Sequence, residues 1–250
     1  MSSVGTGAQW ASRLSPSRTI VTIFAALALA ASVVTWSAPT ASAADYLLMP
    51  RSELLSRSVS SSAWTNLRNV ANGSLGTPDL CDQNSDHGLR TLASALVYAR
   101  SGIASYGTKA RSGVMAAIAT HKVGCGNAVL SMGRQLPSYV LAADFAGLSG
   151  ASDTSFRAFL RAIRTKNIGG HSVWNSLTAT HRDSNNNWGA YAGAARIAAS
   201  RYIGDTADVS AAAKVTQGFL GNRTAYAGFK TSLDSDDVAW ACKAPRPTRR

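Results

Sequence analysis

The sequence predicts an all-α fold, and three observations carry that prediction. No segment alternates polar and apolar residues over the length of a strand. β-branched residues never cluster as they do in strands. Apolar residues instead recur at helical spacing in blocks of about 10–15 residues, joined by short loops that favour antiparallel helix pairs.

In order, residues 50–70 read as one or two helices, with Leu54, Leu55, Val59, Trp64, Leu67 and Val70 as the apolar set. A loop at 73–80 leads to a polar patch, 81–88, that ends in Asp86-His87-Gly88. Helices are expected at 89–100 and 109–121, separated by a break at 102–107 and ended by Gly124 and Gly126. A further polar patch, 131–135, precedes a helix at 136–148 with Pro137 in its first turn, where proline is tolerated. Asp153 is expected to cap a helix at 156–164, whose Arg157, Arg161 and Arg164 read as a solvated stripe. A Gly-Gly loop with His171 and Trp174 follows. Trp64, Trp174 and Trp240 read as core residues, and His121 as a cation at a helix C-terminus.

The densest polar stretch is 181–191, which holds His181, Arg182, Asp183, three asparagines, Trp188 and Tyr191. It reads as a loop, with Asp183 or Ser184 as the cap of a small-residue helix running to Tyr202. A turn at 204–205 and a helix at 208–220 complete the pattern. Polar clusters at 82–88, 131–135 and 181–188 each stand before an apolar helix. If alternate loops of a helical barrel share one end, the three clusters meet there.

Composition bounds the partners. The 250 residues carry a formal charge of +12, and Glu53 is the one glutamate among thirteen acids. Arg13 and Arg18 precede an apolar run at 20–34 and an Ala41-Ser42-Ala43 site, so residues 1–43 read as a secretory signal peptide cleaved near Ala43 or Ala44. An uncleaved anchor is the alternative. Residues 44–242 then form one exported helical domain that retains a modest positive charge. Export permits disulfides; of Cys81, Cys125 and Cys242, the first two are the expected pair, and no C-x-x-C suggests zinc. The Pro/Arg-rich residues 243–250 read as a disordered basic tail or a truncation scar.

Several chemistries are excluded by spacing. His181-Arg182-Asp183 begins like a kinase catalytic loop, but Trp188 stands where the asparagine is needed and no Gly-rich loop or D-F-G is present. Asp86-His87 and His181-x-Asp183 lack the i, i+4 spacing of a helical zinc site, which leaves a metal-dependent hydrolase as a minor option. No G-x-S-x-G elbow appears. Glycoside hydrolysis would have to recruit Asp86, Asp144 and Asp183, in a chain nearly without glutamate. Eliminative cleavage of a uronic acid polymer fits better. It needs amides or cations to neutralise the sugar carboxylate, a base for the adjacent proton, and an acid for the leaving oxygen, with no cofactor. Residues 181–196 supply all of these types.

The run Asn186-Asn187-Trp188-Gly189 feeding Tyr191-Ala192-Gly193-Ala194-Ala195-Arg196 resembles the alginate lyase superfamily. Asp86-His87 before Leu89-Arg90-Thr91-Leu92-Ala93, and Gly133-Arg134-Gln135-Leu136 before Ala142-Ala143-Asp144, extend the resemblance over roughly 50–240. The resemblance implies an incomplete α/α toroid of helical hairpins and a monomeric, cofactor-free lyase acting on an anionic polysaccharide, with no nucleic acid or membrane partner. It implies that Asn187, with Asn186, neutralises the carboxylate. Trp188 occupies the position of the family's proton-transfer histidine, so His181 or Tyr191 is expected to take that part while Trp188 stacks on sugar. His87, Arg134, Gln135 and Arg182 are the expected substrate-binding residues. The family's catalytic Arg and Tyr lie further toward the C-terminus and are not matched here. The rival expectation is a secreted, non-catalytic polysaccharide- or envelope-binding helical protein.

Overall fold

The computed structural model describes residues 45–169 and 174–229, all within the unit Ala41–Arg250. Residues 1–43, read above as a signal peptide, His171, Trp240, Cys242 and residues 243–250 lie outside the described residues. Among the described residues every regular element is a helix: α1 (Arg51–Ser56), α2 (Ser62–Asn72), α3 (His87–Ser101), α4 (Ala104–Ile118), α5 (Ala128–Phe145), α6 (Gly150–Ile163), α7 (Leu177–Asp183), α8 (Asn187–Ile203) and α9 (Thr206–Phe219). The all-α class is thus observed, and the hairpin arrangement is compatible with an incomplete α/α toroid.

Helix directions follow from which residues meet. Tyr98 lies against Gly107 and Thr91 against Gly113, so α3 and α4 run antiparallel. Gly88 at the start of α3 lies against Gln135 and Tyr139, well inside α5, while Tyr98 and Phe145 near the two C-termini line one cavity. That makes α3 and α5 parallel. Gly133 lies against Tyr191 and Ala192. Gly133 is the sixth residue of α5 and Tyr191 the fifth of α8, so these two helices start level. Further along, Asp144 and Arg201 are close enough to interact electrostatically, and α5 and α8 are therefore parallel too. α8 turns back into α9 through Gly204, whose φ of 80° suits glycine.

Packing explains the arrangement. α5 is the central element, with Met132, Leu136, Tyr139, Val140 and Phe145 buried against neighbours from α3, α4 and α8. Each large apolar side chain so buried stabilises by about 1.5–3 kcal/mol. Trp64 and Leu67 of α2 pack on Val97 and Ala93 of α3, as expected of core residues. The Cys81–Cys125 disulfide forms as the sequence suggested, with Cα atoms 5.8 Å apart. It ties the loop before α3 to the loop before α5.

Between α6, α8 and α9 lies a part-buried ionic cluster. Arg196 donates to Asp208 at 2.6 Å; Arg164 donates to Asp208, Asp205 and Ser200; Ser200 donates to Asp208. Burial alone would raise the Asp208 carboxyl. Hydrogen bonds from Arg196 and Ser200, with the charges of Arg196 and Arg164, outweigh it and hold the group at about 2.

Several expectations are corrected. The patch 131–135 lies inside α5, and Pro137 sits in the helix interior, not in a first turn. Proline cannot donate to the carbonyl four residues back, which here belongs to Gly133. His181, Arg182 and Asp183 form the last turn of α7, a helix absent from the sequence reading. The α8 cap is Asn186, not Asp183 or Ser184. Asp153 lies within α6, where it accepts from Arg157 and from the Tyr202 hydroxyl. Arg164 is mostly buried in the ionic cluster and is not part of a solvated stripe. His121 lies past the end of α4, and burial, with Lys166 nearby, lowers its pKa, so it is no C-terminal cation.

The α5–α8 contact yields a prediction. A Cβ on Gly133 would stand 2.9 Å from the Tyr191 carbonyl carbon and 3.0 Å from the Ala192 nitrogen, both backbone atoms that cannot swing aside. Alanine is better than glycine in a helix by about 1 kcal/mol, but overpacking of this kind costs about 1–3 kcal/mol. Gly133→Ala is expected to lower stability by about 1 kcal/mol in chemical denaturation; an increase in stability would contradict the close approach.

Candidate functional site

The polar residues singled out in the sequence divide into a buried set and an exposed set. His87 opens α3 and is 2% exposed. Its Nδ1 is hydrogen-bonded to the Tyr139 hydroxyl at 2.8 Å. Burial lowers the His87 pKa, against the opposing pull of Asp86. Gln135 is buried, and its amide donates to the carbonyls of Asp82 (3.1 Å) and Ser85 (2.8 Å). Ser131 donates to the carbonyl of Cys81 at 2.9 Å. The first turns of α5 thus hold the 81–86 loop by its backbone, beside the disulfide. His87 and Gln135 are committed to the α3–α5 interface, not presented to a ligand.

His181 is likewise buried, at 5% exposure. Its ring fills the notch left by Gly193, where a Cβ would come within 2.6 Å of it. Nε2 lies 3.4 Å from the Thr216 hydroxyl. Burial first, and the Arg196 guanidinium second, push His181 down to about 4 although Asp208 opposes them. The ring is therefore neutral at neutral pH. One turn earlier, Gly189 stands where any Cβ would overlap the Ser184 carbonyl. Gly189 and Gly193, four residues apart, make the smooth stripe of α8 on which α7 and its loop rest. The sequence showed those glycines, and their spacing is the sign of a closely packed neighbour.

Asn186 works locally. Its Oδ1 accepts from the Ser184 hydroxyl (2.7 Å) and from the backbone N–H of Trp188 (2.9 Å), which caps α8. Trp188 is half-buried, packs on the core and lies 5.8 Å from the Trp174 ring. Arg182 is bound bidentately by the neighbouring Asp183, at 2.7 and 3.0 Å, and its carbonyl accepts from the Tyr226 hydroxyl.

Besides Arg182, the exposed set is Asn187, Tyr191 and Arg134. Asn187 is the first residue of α8, and Tyr191, 41% exposed, follows at i+4 on the same face. Arg134, exposed on α5, carries its guanidinium 5.6 Å from the centre of the Tyr191 ring. The glycine contact at 133 sets that distance by letting the two backbones approach. An amide, a phenol and a guanidinium thus share one seam between α5 and α8. Two groups that the sequence did not single out hold the buried histidines: Tyr139 meets His87 and Thr216 meets His181. Tyr139 had a sequence signal, since it follows Gln135 at i+4 and so lies on the same face of α5.

Among the described residues no three His, Cys, Asp or Glu side chains gather as metal ligands, and no helix is long and apolar enough to cross a membrane. The chain matches no family model, no curated protein and no solved structure.

The buried histidine sets a pH dependence. The folded pKa of His181 lies below the unfolded value of about 6.5, so between pH 6.5 and 4 the unfolded chain binds more protons. Stability from this group is full above pH 6.5 and is lost as pH falls toward 4, by about 3 kcal/mol at the limit. Thermal unfolding should show the wild type losing stability over this window faster than His181→Gln. Parallel curves would contradict the buried, neutral imidazole.

Proposed function

We propose that the chain is an exported polysaccharide lyase that cleaves a uronate-containing polymer by β-elimination at the α5–α8 seam. The observation that carries the reading is the juxtaposition of Arg134 and Tyr191, with Asn187 one turn away on the same helix. The Asn187 amide and the Arg134 guanidinium would neutralise the sugar carboxylate, so that the proton on the adjacent carbon becomes removable. The Tyr191 phenol is the exposed group on the seam suited to move that proton. The C–H electrons form the new double bond, the glycosidic C–O bond breaks, and the leaving oxygen takes the proton that Tyr191 removed. His181 does not reach this surface; its part is to position α8 through Gly193. His87 and Gln135 likewise position α3 and its loop, while Arg182 and Trp188 flank the start of α8. The positive end of the α8 dipole adds a favourable field for an anion beside Asn187.

The burial of both histidines favours a second reading, an exported protein that binds anionic polysaccharide without cleaving it. Turnover separates the two. Purified protein incubated with alginate, glucuronan and related polymers is expected to release unsaturated, ultraviolet-absorbing ends. Tyr191→Phe should lower kcat by about 10²-fold or more, and Asn187→Ala should lower kcat/KM by a similar factor. Binding of the polymers with no unsaturated product would reject the lyase and leave the binder. Absence of both binding and product would reject the seam as a polysaccharide site.

A further inference from the structure

A cavity of about 410 Å³ lies at the other end of the same helices, between the C-termini of α3 and α5 and the N-terminal segment that crosses them. It is some ten residues along α5 from Arg134, about 15 Å at 1.5 Å per residue. It is therefore separate from the seam. Among its lining residues are Tyr46, Arg51, Tyr98, Arg100, Ser101 and Asp144.

The wall groups are fixed. The Asp144 carboxylate accepts from the Leu47 N–H at 2.7 Å. Arg51 donates to the Tyr46 hydroxyl at 2.7 Å, and Tyr46 stacks on Phe145 with ring centres 4.6 Å apart. Arg100 donates twice to the Arg57 carbonyl. The electrostatics decide the sign of the occupant. Each helix C-terminus contributes about half a negative charge. At α5 this is met by Arg111, which donates to the Ala146 carbonyl, and at α3 by Arg100 in the last turn. Asp144 interacts favourably with Arg201. Two guanidiniums, Arg51 and Arg100, line the cavity with one carboxylate, Asp144, so it favours an anion while also offering a carboxylate that accepts hydroxyl donors.

We infer that this cavity is a second saccharide site, built for a single sugar acid, whose carboxylate meets Arg51 and Arg100 and whose hydroxyls donate to Asp144. Tyr46 and Tyr98 add aromatic surface to the wall, and the volume lies in the range that encloses a small ligand. A bare inorganic anion would bring no hydroxyls for the Asp144 carboxylate, and a neutral sugar would bring no carboxylate for Arg51. The inference stands on residues of its own and does not depend on cleavage at the seam.

Sodium D-glucuronate titrated into the full chain, followed by amide chemical shifts and by calorimetry, tests it. Saturable shifts are expected at residues 98–102 and 144–147, a readout that needs no variant. Arg51→Gln should weaken binding at this site at least ten-fold while leaving release of unsaturated ends unchanged, and Arg134→Gln should leave binding at this site unchanged. Glucose and inorganic phosphate, run in parallel, should each bind at least ten-fold more weakly. The inference is overturned if glucuronate fails to shift those amides, if Arg51→Gln binds it as the wild type does, or if glucose or phosphate binds equally well. Failure of the seam reading would look different, with no unsaturated product from any polymer and the glucuronate shifts intact.

Discussion

The close approach of α5 and α8 at Gly133 is the constraint on which the rest of the molecule depends. Two parallel helices that start level present their first turns side by side, and here the backbones touch because Gly133 has no side chain. A larger residue would move Arg134 away from Tyr191 and separate the cation from the phenol. The same device recurs around α8: Gly189 admits the Ser184 carbonyl and Gly193 admits the His181 ring. One helix thus carries an exposed polar face and, on another face, a glycine stripe that seats its neighbour.

The chain keeps its strongest ion pairs away from that face. Arg196, Asp208 and Arg164 form a part-buried cluster that fixes α8 against α9 and α6. Held from behind in this way, α8 can present Asn187 and Tyr191 without mobile support. The histidines serve the same rigidity. His87 is locked to Tyr139 and His181 is sealed beneath α8, both kept neutral by burial. A field of positive charge at the seam is thereby left to arginine, whose charge does not change with pH in the physiological range.

What the sequence made legible, and what it hid, follows from the physics of each signal. The helical class, the Cys81–Cys125 pair and the small-residue helix after Asn187 rest on local periodicity and on the count of cysteines, and they appear as read. Residues 131–135 and 181–183 read as loops because polar side chains were taken to mark solvent. In the fold, Ser131 and Gln135 spend their polarity on the backbone of a distant loop, and His181 spends its bulk on a glycine notch. Those partners are 50–53 residues or 12 residues away in sequence, beyond what a local pattern records. Asp153 and Arg164 misread for the same reason, since their partners belong to α8 and α9. Asn187, Tyr191 and Arg134 follow from residue chemistry together with the family resemblance, and the fold adds what spacing could not: that the arginine of one helix lies over the tyrosine of another.

The most direct test of this account is a double-mutant cycle between Arg134→Ala and Asn187→Ala, read by the affinity of the chain for a short oligouronate. Two side chains that grip one carboxylate across the α5–α8 seam should be coupled, with an interaction energy above about 0.5 kcal/mol and the second substitution costing much less than the first. Additive effects, as expected of residues that never share a ligand, would contradict it.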